Sequence, residues 1–146
     1  MRTHRIHSCR QFLAAFGLLA ANAAIGVEPV TLYERLGGEK VVAQFVDETI
    51  NLTSTDPRSK RSFDKVNLVN LKKKIAEQIC ELTAGPCKYS GDPMKLVHKG
   101  LEITEAEFYL MVEHLRIAVG RAGVAEGPKN ELLRILAPMK RDIVTR

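Results

Sequence analysis

The sequence predicts an all-α fold. Apolar residues recur at three- and four-residue spacing through most of the chain, and no stretch alternates with the period of two that a half-buried strand requires. Glycine, proline and capping residues fall where those apolar stripes stop.

Leu32 to Leu36 makes a short first turn, ended by Gly37-Gly38. Val41, Val42, Phe45, Val46, Thr49 and Ile50 lie on one face of the next helix, which Thr55-Asp56-Pro57 breaks. Leu68, Leu71, Ile75, Ile79 and Leu82 trace a second stripe, closed by Gly85-Pro86 in the order expected of a helix stop. Asp92 is a good N-cap and Pro93 a good first residue for a short turn carrying His98, with Gly100 to end it. Thr104 and Glu107 have capping-box spacing ahead of Phe108, Met111, Val112, Leu115 and Val119. After Gly127-Pro128, the residues Leu132, Leu133, Leu136, Met139 and Ile143 form a last amphipathic helix, kinked at Pro138. Four main helices thus flank a short, loop-bounded segment, with no internal repeat.

Residues 1–26 read as an export signal, leaving one domain over 27–146 and a periplasmic or secreted product. Arg2, Arg5 and Arg10 form a basic head, Phe12 to Ala21 is an apolar run, and Ala21-Asn22-Ala23 suits a signal peptidase. About ten apolar residues are too few to span a bilayer, which takes roughly 20, so no membrane attachment is expected after cleavage. Removing the leader takes 3 of the 22 basic residues and none of the 17 acids, so the formal charge of +5 becomes +2. A nucleic-acid partner loses its main support with that charge.

Cys9 leaves with the leader. Cys80 and Cys87 remain, and two cysteines in an exported chain point to a disulfide, with two buried thiols as the alternative. Neither a zinc ligand set nor the Cys-x-x-Cys-His pattern of covalent haem attachment is present. On the residues alone, His98 reads either as a surface histidine before a helix-ending glycine or as an imidazole held at the edge of an apolar cleft. His114 reads as an ordinary helix-face histidine.

Leu32-Tyr33-Glu34-Arg35-Leu36-Gly37-Gly38, Asp56-Pro57-Arg58, Phe63, Gly85-Pro86, Tyr89-x-Gly91, Met94, His98-x-Gly100-Leu101-x-Ile103-Thr104 and Phe108 occur in an order and spacing that resemble the group 1 truncated hemoglobins. The resemblance covers almost all of the chain after the leader, from Thr31 to Thr145. It implies a truncated globin fold, a two-over-two helical sandwich around a non-covalent haem b and its iron. By the same resemblance His98 is the proximal ligand through a neutral ring nitrogen, while its other nitrogen donates to a nearby carbonyl. Met94 packs under the haem and Phe63 against its face. Lys74 reaches a propionate, and Tyr89, Ile103 and Phe108 complete the cofactor contacts.

One departure bears on the chemistry. The family commonly places a tyrosine on the second helix and glutamines on the distal helix to hold a gas ligand by hydrogen bonds. Here Ile50 stands at the tyrosine position, and Leu71 and Ile75 at the two distal positions. None of the three can donate a hydrogen bond, so the expected distal pocket of Phe45, Ile50, Leu71 and Ile75 is apolar. A register slip of one residue would instead bring Thr49, Lys72 or Lys74 toward the iron, and Gln78 lies one turn away.

Three functions follow as expectations. The first is reversible binding of a diatomic gas (O2, NO or CO), with an unidentified reductant keeping the iron ferrous. The second is an enzyme on the same scaffold, a nitric-oxide dioxygenase or a peroxidase-like protein. The third is a haem-free helical interaction module whose groove takes a peptide or apolar ligand.

Overall fold

A computed structural model describes residues 29–146, and the expected export signal at 1–26 lies outside the described residues. In chain order the helices are α1 (Leu32–Arg35), α2 (Gly38–Thr55), α3 (Leu68–Leu82), α4 (Met94–Val97), α5 (Glu105–Arg121), α6 (Glu126–Leu136) and α7 (Lys140–Ile143). Two 3₁₀ turns, Lys60–Phe63 and Ala137–Met139, complete the described elements. No strand occurs among the described residues.

The architecture is a two-over-two helical sandwich. Helix α2 packs on both α3 and α5, α5 pairs with α6, α1 rests on α6, and α4 docks on α7. The central cluster gathers Leu36, Val42, Phe45, Val46, Ile79, Leu115, Ala118, Val119 and Leu132, most of them sealed from solvent. Helices α2, α3, α5 and α6 each contribute part of their apolar stripe to this cluster.

The ends of the elements have local causes. Thr31 and Glu34 form a capping box on α1. Gly37 and Gly38 then take φ of +98° and +67°, a left-handed corner that a side chain would strain. Helix α2 stops where the Asp56 carboxylate accepts the N–H of Arg58 at 2.9 Å and its guanidinium at 2.7 Å. Those hydrogen bonds hold the Asp56 carboxyl at about 2, well below its ordinary value. Asn67 caps α3 by accepting the N–H of Asn70 at 3.0 Å.

Two boundaries and the burial of one residue depart from the sequence expectation. Pro93, rather than Asp92, occupies the cap of α4, and the helix begins at Met94. Gly127 and Pro128 lie inside the first turn of α6, where a missing N–H costs nothing, and the helix begins at Glu126 instead of after them. On α3, Ile79 is buried at 2% exposure, but Leu82 is 38% exposed because it lies on the face away from the buried Ile79, Cys80 and Thr83. The expected kink at Pro138 takes the form of the 3₁₀ turn between α6 and α7.

The capping box of α5 is a stability element. Glu107, 7% exposed, accepts hydrogen bonds from the Thr104 N–H at 2.9 Å, the Thr104 hydroxyl at 2.8 Å, Arg61 at 2.6 Å and Ser62 at 3.1 Å. Burial alone would raise its carboxyl, but these four donors outweigh burial and hold it at about 2 against an ordinary 4.5. A depressed carboxyl contributes stability that is present above pH 4.5 and disappears as pH falls toward 2. The shift corresponds to on the order of 3 kcal/mol at neutral pH. Chemical denaturation of wild type and Glu107→Gln between pH 7 and 3 checks this: the gap between them should be largest at neutral pH and close on acidification.

Candidate functional site

Helix α4 is a single turn with His98 at its C-cap. Pro93 fixes the entry, and Gly100, at φ +79°, turns the chain away in a conformation open to glycine. The half-buried His98 ring places Nδ1 at 2.8 Å from the Met94 carbonyl, which also accepts the His98 backbone N–H at 3.1 Å. A carbonyl can only accept, so Nδ1 carries a proton, and in the neutral ring Nε2 is the nitrogen that keeps its lone pair. That is the neutral imidazole a metal ligand requires.

The segment after the histidine is fastened from across the molecule. The guanidinium of Arg61 donates to the carbonyls of Leu101 at 3.2 Å and Glu102 at 2.8 Å, besides its bond to Glu107. Arg61 lies in the 3₁₀ turn that ends at Phe63. One side chain thus fixes the position of Phe63 relative to the histidine turn and to Ile103 and Phe108, which flank the start of α5. Sequence reading had no signal for Arg61, because its partners are backbone carbonyls about forty positions away.

The remaining expected residues divide by burial. Phe45 and Ile50 are both sealed at 0% exposure, but Phe45 belongs to the main core cluster and Ile50 does not. Leu71 and Ile75, one turn apart on α3, are half-buried, as are Phe63, Met94 and Phe108; Ile103 is buried. A half-buried apolar row on α3 and another around α4 and the start of α5 are unlike the sealed contacts of the core. They are the apolar side chains that could form walls along the faces of a flat partner, and Ile75 also packs against the core cluster.

Polar side chains near these walls are engaged elsewhere. The Thr49 hydroxyl donates to the Phe45 carbonyl at 2.6 Å, and Lys72 binds Asp47 and Asn51, each at 2.7 Å. Lys74 pairs with Glu77 and with the Ser90 hydroxyl; Ser90 and then Lys74 hold the Glu77 carboxyl below its ordinary value. Lys72 and Lys74 are therefore both partnered within the protein. The half-buried Tyr89 donates its hydroxyl to the Asp92 carbonyl at 3.0 Å and braces its own turn.

His114 departs from expectation. It is 8% exposed, with Nδ1 at 3.1 Å from the Thr53 hydroxyl and Nε2 at 3.6 Å from Asp56. The Thr53 hydroxyl spends its proton on the Thr49 carbonyl at 2.7 Å, so His114 is the donor between them. The residue ties α5 to the end of α2 and is no ordinary face histidine.

The donor set decides what this site can hold. Among the described residues no group of three or more His, Cys, Asp or Glu side chains could enclose a metal ion. One imidazole cannot retain iron alone. A macrocycle supplying four equatorial nitrogens, with apolar faces for the walls and carboxylates for a lysine at the rim, meets each feature in turn. Haem fits these residues.

Comparison with known proteins agrees. Residues 31–145 match the family described as bacterial-like globin. A group 1 truncated hemoglobin of Mycolicibacterium paratuberculosis is 34% identical over 118 residues, covering 81% of this chain and 87% of the relative. One from Nostoc commune is 30% identical over 106 residues, covering 72% and 90% respectively. Among solved structures, the truncated hemoglobin of Tetrahymena pyriformis in its Fe(III) form superposes with a TM-score of 0.76 at 26% identity, over 80% of this chain and 100% of that one.

Proposed function

The chain belongs to the bacterial-like globin family as a group 1 truncated hemoglobin, and on that premise we propose that His98 holds a non-covalent haem b for reversible binding of a diatomic gas. When bound, the haem would supply the iron that takes up O2, NO or CO. The observation that carries this reading is the Nδ1–H of His98 donating to the Met94 carbonyl, which leaves Nε2 bare and the ring fixed in orientation.

The other residues do the rest. Phe63, Met94, Ile103 and Phe108 exclude water from the cofactor's faces, and Lys74 exchanges its Glu77 and Ser90 partners for a propionate. Ile50, Leu71 and Ile75 offer the gas no hydrogen bond, so affinity rests on the metal bond and shape alone. Absorption spectra of the purified protein in ferric, ferrous and CO-bound forms test the reading. A Soret band with a normal ferrous–CO shift is expected; a colourless protein after exposure to hemin sinks it. Resonance Raman of the CO complex tests the distal side, where the Fe–CO frequencies should be those of an unpolarised ligand. They should also stay unchanged in Gln78→Leu.

The same proposal places the protein outside the cytoplasm, with residues 1–26 removed and Cys80 joined to Cys87. Their Cα atoms are 5.7 Å apart, inside the range of a disulfide. No helix among the described residues is long and apolar enough to cross a membrane. Closing so short a loop contributes about 2–3 kcal/mol by chain entropy. Thiol titration under denaturing conditions should find no free thiol in protein from the periplasm or medium, and its N-terminus should lie near position 27. A dithiol should lower its unfolding midpoint accordingly.

A further inference from the structure

Cys80 sits in the last turn of α3 at 1% exposure, and Cys87 packs against the same core cluster from the following loop. The chain between them is moulded around the sulfur. Ala84 takes φ +61°, and a Cβ on Gly85 would stand 2.6 Å from the Cys80 sulfur and 2.8 Å from Cγ of Tyr33. The Gly85 N–H donates to the Cys80 carbonyl at 2.7 Å. Further along, the loop is tied to α3 through exposed groups: the Tyr89 N–H to Glu81 at 3.2 Å, and Ser90 to Glu77 at 2.6 Å. Exposed contacts of that kind contribute little each. The sulfur link is therefore the strong fastening between the helix that carries Leu71 and Ile75 and the turn that carries His98, eleven residues after Cys87.

Resting on the haem reading above, we propose that Cys80 and Cys87 form a redox latch on the cofactor site. As a disulfide, the pair closes the 80–87 loop and anchors at Cys87 the start of the 88–93 segment, which leads from the α3 wall to the histidine turn. As two thiols, it releases that segment, and haem leaves faster. The reducing step is thiol–disulfide exchange with a dithiol of the thioredoxin kind. The donor's two thiols become its disulfide, and two electrons and two protons pass to the Cys80 and Cys87 sulfurs as their bond breaks. Coupling is reciprocal: if reduction speeds haem loss about tenfold by weakening binding, bound haem must resist reduction by the same factor, about 30 mV for a two-electron couple.

The ferric holoprotein, wild type and C80S/C87S, is mixed with excess apomyoglobin as haem acceptor, with and without dithiothreitol. Wild type should lose haem about tenfold faster in the dithiol, and the double variant should lose it at that faster rate in both conditions. A wild-type rate indifferent to the dithiol, or two free thiols per chain before reduction, overturns the latch and leaves the haem reading standing. Absence of any Soret band overturns both. If C80S/C87S does not fold, amide exchange over residues 84–92 of the wild-type holoprotein decides: exchange should quicken on reduction, and unchanged protection overturns the proposal.

Discussion

His98→Gly should abolish the Soret band of protein reconstituted with stoichiometric haem, and added imidazole should restore it. Losing a group that merely orients a metal-bound histidine costs roughly 10- to 100-fold in metal affinity, so losing the ligand itself should cost more than about 100-fold. The fold should survive, because the ring is half-buried and its one hydrogen bond is to the carbonyl four residues earlier in its own turn. Circular dichroism of the variant should therefore stay helical while the visible spectrum disappears. Rescue by imidazole separates a missing ligand from a collapsed site. Haem retained at wild-type affinity in His98→Gly would end the assignment, and His114→Gln is the matching control. The buried partners of His114 predict a loss of stability there with the ferrous–CO spectrum unchanged.

Ile50→Tyr should slow O2 dissociation about 5- to 150-fold, the factor corresponding to one new hydrogen bond of about 1–3 kcal/mol. Ile50 is fully sealed, so the larger phenol must displace its neighbours, and circular dichroism of the variant should first show the helical fold retained. The CO dissociation rate should change much less, because bound CO carries little charge to attract a donor. Stopped-flow displacement of O2 by CO measures the first rate, and displacement of CO by NO the second. Equal changes in both would mean the substitution altered access and not polarity. An unchanged O2 rate would place position 50 away from the ligand and remove the argument for an apolar pocket.

Much of this was legible in the chain. The stripes on α2, α3 and α5 are local patterns of three and four; the structure buries most of the α2 stripe and, on α3 and α5, chiefly Ile79, Leu115 and Val119. The capping box at Thr104 and Glu107 and the break at Pro138 were legible for the same reason: each depends on neighbours in sequence. What escaped was contact at long range. Arg61 grips two carbonyls beyond the histidine turn, and His114 reaches back to Thr53 and Asp56; neither arrangement leaves a periodic trace. The start of α6 escaped for a subtler reason. Pro128 is as acceptable inside a first turn as ahead of one, so its presence marks the neighbourhood of a helix start without fixing the residue.

The partner of the histidine's second nitrogen also sets how much electron density the ring can lend a metal. An imidazole facing a carboxylate is driven toward imidazolate character and becomes a strong donor, which assists cleavage of an O–O bond. Here the acceptor is an amide oxygen that already receives a backbone N–H, and an uncharged, shared acceptor draws the proton only weakly. Such a ring would lend a metal little electron density.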